Sequence, residues 1–142
     1  MTTEMRVLTV RQPWAWAIIH GGKDIENRVR NLAGEYRGPV AIHAGLAPVD
    51  QDNLASRTHR RAHGSSVDTG IFFGAIIGVV DLLAVIEPHE RCEFCSPWAI
   101  EGNYHLALGN PRALRKPIPY RGALGLRRLE HSAIELIKKE LQ

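Results

Sequence analysis

The sequence predicts a small mixed β-barrel of the α+β class, with about six strands and two or three short helices. Its 142 residues match one domain with one hydrophobic core, so we expect a single domain over residues 1–142. Hydrophobic residues make up 44% and charged residues 23%, a balance typical of a folded chain. Short runs rich in β-branched residues recur between turn-forming residues, which favours strands joined by loops.

The first third of the chain predicts three strands and one short helix. Residues 6–11 are rich in β-branched side chains and alternate with a period of two, which predicts the first strand. A helix is predicted over residues 13–20, because Pro13 suits the first helical position and two glycines follow the helix. Residues 24–29 and 39–44 predict the second and third strands.

The rest of the chain predicts a long central strand with shorter elements around it. Residues 71–86 form the longest apolar run, and their β-branched pairs and two glycines favour a bent strand over a helix. The polar, weakly amphipathic pattern of residues 48–63 predicts a surface helix. The other predicted elements are a loop at 88–102, a strand at 104–108, an extended loop with three prolines at 110–119, a closing strand at 120–128 and a helix at 130–141.

The charge of the chain is modestly basic and dominated by arginine. The net charge is +3 and the sequence pI about 9.1, and fourteen of the eighteen basic residues are arginine. Arginine favours planar contacts with phosphates and bases, although genome composition produces the same excess. The N-terminus does not resemble a signal peptide, and no apolar run reaches the roughly 20 residues that span a bilayer. We therefore expect a cytoplasmic protein that does not bind membranes.

One motif stands out at the start of the chain. Gly21, Lys23, Glu26 and Arg28 form the pattern GxKxxExR, preceded by a Gln-Pro-Trp sequence. The later landmarks are Tyr36-Arg37-Gly38, Ile42-His43-Ala44-Gly45, Asn110-Pro111-Arg112 and Pro119-Tyr120-Arg121-Gly122. In this order they resemble the ASCH domain family, which is similar to the PUA superfamily of small RNA-binding β-barrels. The resemblance covers nearly the whole chain and implies a PUA-like barrel.

The charged residues of the motif are candidates for binding or catalysis. If residues 24–29 are extended, Glu26 and Arg28 share one face, and Lys23 at the helix exit reaches the same place. Such a group can bind phosphate, or Lys23 can act as a general acid or base if burial lowers its pKa. The alternative is a surface ion pair worth roughly 0–1 kcal/mol. The resemblance implies that the motif lines a nucleotide cleft.

The Gln-Pro-Trp sequence supplies the opposite wall of the predicted cleft. Gln12 and Trp14 lie at the corner between the first strand and the helix, where an exposed indole can stack on a base. Because Trp14 and Trp16 are two residues apart, they cannot share one helical face. We expect Trp14 at the cleft and Trp16 in the packing, while a core position remains the alternative for either.

Four further residues complete the predicted binding set. His43 ends the third strand, where it either donates to phosphate or shuttles a proton, or is a satisfied structural histidine. Arg37 and Arg121 either bind phosphate or cap loop carbonyls, and Tyr104 begins a strand near the cleft. The full predicted nucleic-acid-binding set is Gln12, Trp14, Lys23, Glu26, Arg28, Arg37, His43, Tyr104 and Arg121.

A second group of residues has the spacing of zinc ligands. His59 and His63 are one helical turn apart, and Cys92 and Cys95 form a Cys-x-x-Cys pair with His89 just before it. The alternative is two solvated histidines on a surface helix and two reduced thiols in a loop. Zinc is a minority hypothesis here, and we expect no other metal and no cofactor.

The leading functional hypothesis is a binding module for RNA or a nucleotide. The rival, implied by the resemblance, is an enzyme in the same cleft, either a metal-independent ribonuclease or an amidohydrolase of modified nucleosides. Lys23 would then be the base or activator, partnered by Glu26 or Asp81 and assisted by His43 or Tyr104. The amidohydrolase pattern has a threonine at the position of Glu26, so the sequence departs from that pattern here. A third hypothesis is a protein-interaction surface on residues 48–63 and 88–102.

Overall fold

The computed structural model describes residues 4–46, 71–90 and 96–141, which form six strands and two helices. The predicted helix at 48–63 lies outside the described residues. The elements in chain order are β1 (Arg6–Val10), α1 (Trp14–His20), β2 (Ile25–Arg28), β3 (Gly38–Ala44), β4 (Ala75–Ile86), β5 (Tyr104–Pro119), β6 (Leu126–Arg128) and α2 (His131–Glu140). Within these residues, no helix is long and apolar enough to cross a membrane.

The six strands form one curled sheet that makes a half-barrel, as the α+β prediction expected. The strand order is β2-β5-β4-β3-β1-β6, so β2 and β6 are the two edges. β1 runs parallel to β3, and every other neighbouring pair is antiparallel. β1 and β2 are close in sequence yet lie in different halves of the sheet.

Alternating side chains give the sheet two buried faces. One face carries Leu8, Val10 and Ile42 and packs against Ile18 and Ile19 of α1. The other face carries Val7, Ala41 and Val79 and packs against Ile134 and Ile137 of α2. The period of two in the strands and the apolar positions of the two helices therefore account for both halves of the core.

β5 is longer than the sequence predicted. The prediction of a loop at 110–119 is wrong, because β5 continues without interruption to Pro119 and pairs with β4. Prolines cannot donate to a ladder, but here the pairing register shifts at several points, and Pro111 and Pro117 fall at those shifts. The irregular pairing therefore accommodates these two prolines.

The closing strand is shorter than predicted, since only Leu126–Arg128 of the expected 120–128 is a strand. Ahead of it, the chain crosses the ends of β1 and β3 and is held by side chains. The Tyr120 carbonyl lies 2.6 Å from His43 Nε2, and the Ala123 amide donates to Thr9 Oγ1 at 3.3 Å. A Cβ at Gly122 would lie 2.8 Å from His43 Cε1, so only glycine allows this close crossing.

His43 is buried and fully hydrogen-bonded at this crossing. Because the Tyr120 carbonyl can only accept, His43 Nε2 carries the proton, and Nδ1 accepts from the Thr9 hydroxyl at 3.2 Å. Burial lowers the pKa of His43 below its usual 6.5, with the Tyr120 carbonyl acting in the opposite direction. The neutral imidazole is therefore the form that the fold requires.

His43 should make stability fall in mild acid. The unfolded histidine takes up a proton near pH 6.5 and the folded one only at lower pH, so the free energy of unfolding should decrease as pH falls below 6.5. Denaturant unfolding at pH 7.5 and 5.5 measures this, and His43→Gln should reduce the difference. His131→Gln, at an exposed histidine, is the control. An equal pH dependence in His43→Gln and wild type would contradict the prediction.

Candidate functional site

A cleft of about 620 Å³ lies between β1, β2 and the loop ahead of β6. β1 contributes its C-terminal end, α1 contributes Trp14, and β2 contributes Glu26, Asn27 and Arg28. The lining residues are Thr9, Val10, Arg11, Trp14, Glu26, Asn27, Arg28, Val29, Ala123, Leu124 and Gly125. The cleft therefore lies at the seam of the half-barrel, where edge strand β2 approaches β1.

Glu26 and Arg28 form the charged floor of this cleft. Glu26 is 6% exposed, and its Oε2 lies 2.9 Å from both Nε and Nη2 of Arg28. The same Nη2 donates to the Thr9 carbonyl at 2.9 Å. Arg28 thus joins β2 to β1 across the seam. The expectation that alternate residues of β2 place Glu26 and Arg28 on one face agrees with this geometry.

Lys23 lies behind the cleft rather than on its lining. It is 3% exposed, and Nζ lies 5.0 Å from the Trp14 ring centroid and 5.5 Å from that of Trp98. The ammonium donates to the Ile25 carbonyl and lies 3.7 Å from Glu26 Oε1, which is an ion contact longer than a hydrogen bond. Lys23 is therefore enclosed by two indoles, a carbonyl and a carboxylate.

The enclosure changes the protonation chemistry of Lys23. Burial lowers the pKa of Lys23 below its usual 10.5, and the Glu26 carboxylate acts in the opposite direction. The two indoles stabilise the ammonium by cation–π contact, which is worth roughly 0.5–2 kcal/mol. A lysine whose pKa is lowered gives up its proton more readily near neutral pH than an exposed lysine does.

Trp98 is the site residue that sequence reasoning missed. Its ring meets the Trp14 ring edge-on at 6.0 Å, and its carbonyl accepts from Asn27 Nδ2 at 2.9 Å. The Asn27 carboxamide also accepts from the Ile100 amide at 2.8 Å, and Ser96 donates to the Asp24 carboxylate. These contacts fasten the 96–103 segment to β2. An isolated tryptophan in a Ser-Pro-Trp turn was the only signal available.

The Gln-Pro-Trp corner is built by the Gln12 side chain. Gln12 is buried; its Oε1 accepts from the Trp16 amide at 2.8 Å, and its Nε2 donates to the Phe72 carbonyl at 2.9 Å. Gln12 therefore satisfies a free amide in the first turn of α1 and does not line the cleft. Trp14 packs on the core and lines the cleft, whereas Trp16 stacks on His20 at 5.6 Å, outside both core clusters.

The remaining members of the predicted set lie away from the cleft lining. Arg37 is exposed and donates to the carbonyls of Gly34 and Tyr36, which matches its loop-capping alternative. His43 lies in the buried crossing described above. Tyr104 pairs with Arg28 across β2 and β5, and Arg121 is exposed just before the cleft loop.

Asp81 is not among the residues that line the cleft. Asp81, offered as a partner of Lys23, instead accepts from Arg112 at 3.1 Å and Asn110 at 3.2 Å. Arg112 lowers the pKa of Asp81. The zinc candidates His59, His63, Cys92 and Cys95 lie outside the described residues, and within those residues no three His, Cys, Asp or Glu side chains cluster as metal ligands.

These features define a small α+β fold built on a six-stranded half-barrel sheet with two helices. Its fold is similar to that of the ASCH protein of Zymomonas mobilis, whose crystal structure aligns with a TM-score of 0.55 and 16% identity over 97% of this chain and 96% of that chain. The crystal structure of a mutant of that protein aligns with a TM-score of 0.59 and 14% identity over 99% and 100% of the two chains.

The chain therefore has the ASCH fold, as the sequence resemblance predicted. No protein-family model matches its sequence, and no curated protein is significantly similar. At identities of 14% and 16%, the structural likeness establishes the fold alone.

Opening the enclosure should raise the pKa of Lys23. Trp98→Leu removes one indole and admits water, and because burial is the larger influence, the pKa of Lys23 should move toward 10.5. An NMR titration of the Lys23 side-chain carbons measures the shift. Trp16→Leu is the matched control. Trp16 is also partly exposed, but the two rings that face Lys23 are those of Trp14 and Trp98. An unchanged midpoint in Trp98→Leu would show that the indole does not exclude water.

Proposed function

We propose that the seam cleft binds RNA or a nucleotide. The observation that carries this proposal is the juxtaposition, in one open cleft, of two arginines and an indole: Arg11 and Arg28 line it together with Trp14. Arginine and tryptophan are the side chains best suited to phosphate contact and base stacking. A volume of about 620 Å³ is in the range of sites for ligands of nucleotide size.

The charge of the cleft supports the same ligand class. Its charged lining consists of Arg11, Arg28 and Glu26, so positive charge exceeds negative by one. Arg11 is exposed at the rim, whereas Arg28 is held in place by Glu26 and the Thr9 carbonyl. A pre-positioned guanidinium loses little conformational entropy on binding, which favours affinity.

Removing Arg11 should weaken RNA binding and its salt dependence. Fluorescence anisotropy with a labelled single-stranded RNA should show several-fold weaker binding for Arg11→Ala, and a salt slope smaller by about 0.7, the contribution of one phosphate contact. Arg37→Ala removes an equally exposed arginine that caps its own loop, and should leave both values unchanged. Equal losses in the two variants would indicate non-specific attraction, and no RNA or nucleotide binding by wild type would refute the proposal.

The second candidate function is catalysis that depends on Lys23, either ribonuclease action on RNA or hydrolysis of an amide on a modified nucleoside. Its supporting observation is the burial that lowers the pKa of Lys23 beside the Glu26 carboxylate. A lysine with a lowered pKa is a more effective general base at neutral pH. Against this, Nζ is engaged by the Ile25 carbonyl and lies against the rings of Trp14 and Trp98, and Lys23 is only 3% exposed.

A turnover assay distinguishes the two candidates. Single-stranded RNA and a panel of acylated nucleosides would be incubated with wild type, Lys23→Ala and Lys116→Ala, the last at an exposed lysine. Catalysis through Lys23 predicts turnover in wild type and Lys116→Ala and its loss, by about 100-fold or more, in Lys23→Ala. Binding without any turnover supports the binding module.

A further inference from the structure

The two most exposed large hydrophobic side chains among the described residues both lie at the seam cleft. Leu124 is 91% exposed and Val29 is 84% exposed, and both line the cleft. A single exposed aliphatic side chain is ordinary on a protein surface, but two that border one open cleft indicate a contact surface for a ligand. Val29 and Leu124 are called the apolar rim below.

Hydrogen bonds to Thr9 anchor both segments that carry the apolar rim. Val29 directly follows Arg28, whose Nη2 donates to the Thr9 carbonyl at 2.9 Å. Leu124 directly follows Ala123, whose amide donates to the Thr9 hydroxyl at 3.3 Å. Both exposed side chains are therefore carried by backbone that is tied to one residue of β1. A surface that is fixed before binding loses little conformational entropy when a ligand packs on it.

Trp14, the aromatic residue of the cleft, offers less free apolar surface than the apolar rim does. It is half-buried and packs on the hydrophobic core. The Lys23 ammonium lies over its ring, 5.0 Å from the centroid, and the Trp98 ring lies nearly perpendicular to it at 6.0 Å. The apolar surface that the cleft presents to solvent is therefore concentrated on the apolar rim.

The charges around the apolar rim favour an anionic ligand. Within three residues of Val29 or Leu124 along the chain, every exposed or half-buried charged residue is an arginine. These arginines are Arg28, Arg30, Arg121 and Arg127. The acidic residue in these stretches, Glu26, is buried and paired with Arg28. Apolar side chains bordered by arginines complement a single nucleic-acid strand, which presents base faces next to phosphates.

We infer that the apolar rim packs on the faces of unpaired bases in a single RNA strand, while the neighbouring arginines contact the phosphates of that strand. This inference rests on the function proposed above and adds the form of the ligand and the side chains that contact its bases. In a duplex, the base faces are stacked on neighbouring base pairs and are closed to exposed aliphatic side chains. The ligand class is therefore single-stranded RNA with unstacked bases.

The test compares a labelled mixed-sequence single-stranded RNA with an abasic sugar-phosphate oligomer of the same length, by fluorescence anisotropy at fixed salt. Wild type should bind the RNA at least about fivefold more tightly, because only the RNA has base faces. Leu124→Ser should reduce this preference several-fold and leave the affinity for the abasic oligomer unchanged. Leu83→Ser replaces a leucine that is 61% exposed on β4 and is not among the cleft-lining residues, so both affinities should stay unchanged.

Two further measurements separate a base contact from a change in the loop. Because Leu124 is exposed, Leu124→Ser should unfold at the same temperature as wild type, which a thermal melt checks. Leu124→Met keeps an apolar side chain and should keep the preference for the RNA. A Leu124→Ser variant that loses affinity for both oligomers equally, or that keeps the full preference, overturns the inference.

The binding of wild type alone distinguishes failure of the inference from failure of the proposed function. Equal affinity for the two oligomers overturns the inference and leaves RNA binding intact. Binding of free nucleotides but of neither oligomer also overturns the inference, while the function proposed above stands. If wild type binds neither oligomer nor any nucleotide, the proposed function fails and the inference fails with it.

Discussion

The hydrogen bonds of Arg28 are the interaction on which the rest of the site depends. A curled sheet of six strands has two edges, and here the β2 edge approaches β1 without continuing the order of the sheet. The Arg28 guanidinium donates hydrogen bonds to the Glu26 carboxylate and to the Thr9 carbonyl, and so links the two sides of the seam. Because the cleft is that seam, the Arg28 side chain both joins β2 to β1 and borders the space open to a ligand.

The charges of the motif are arranged in depth rather than side by side. Lys23 is deepest, Glu26 lies between, and Arg28 borders the cleft. Burying an ammonium and a carboxylate costs free energy that a single ion contact does not recover. The additional partners are the Ile25 carbonyl and the two indoles, one of them on the 96–103 segment. The ordering of that segment and the charge state of Lys23 are thus physically linked.

Local patterns predicted most of the fold because strands and helices depend on local periodicity. β1, α1, β3 and α2 lie within one or two residues of their predicted bounds, and the long apolar run forms a strand as predicted, although the strand begins at Ala75 and not at residue 71. The extent of β5 was not predictable, since Pro111 and Pro117 are tolerated there because the pairing with β4 shifts at both. The closing strand was overestimated because side chains of His43 and Thr9, distant in sequence, replace the ladder there.

The site was predictable in part, because some of its features follow from the local periodicity of the strands. The spacing of Glu26 and Arg28 on one strand face follows from the strand period alone. The burial of Lys23 does not, because it depends on Trp98, which lies far along the chain and approaches only through tertiary structure.

The position of β1 between β3 and β6 also affects how the protein is synthesised. In a growing chain, β1 has its β3 partner available once residues 38–44 have left the ribosome, but the other side of β1 has no partner until residues 126–128 have emerged, together with the cleft wall at 123–125. Until then, the nascent chain exposes an unpaired strand edge and an incomplete cleft.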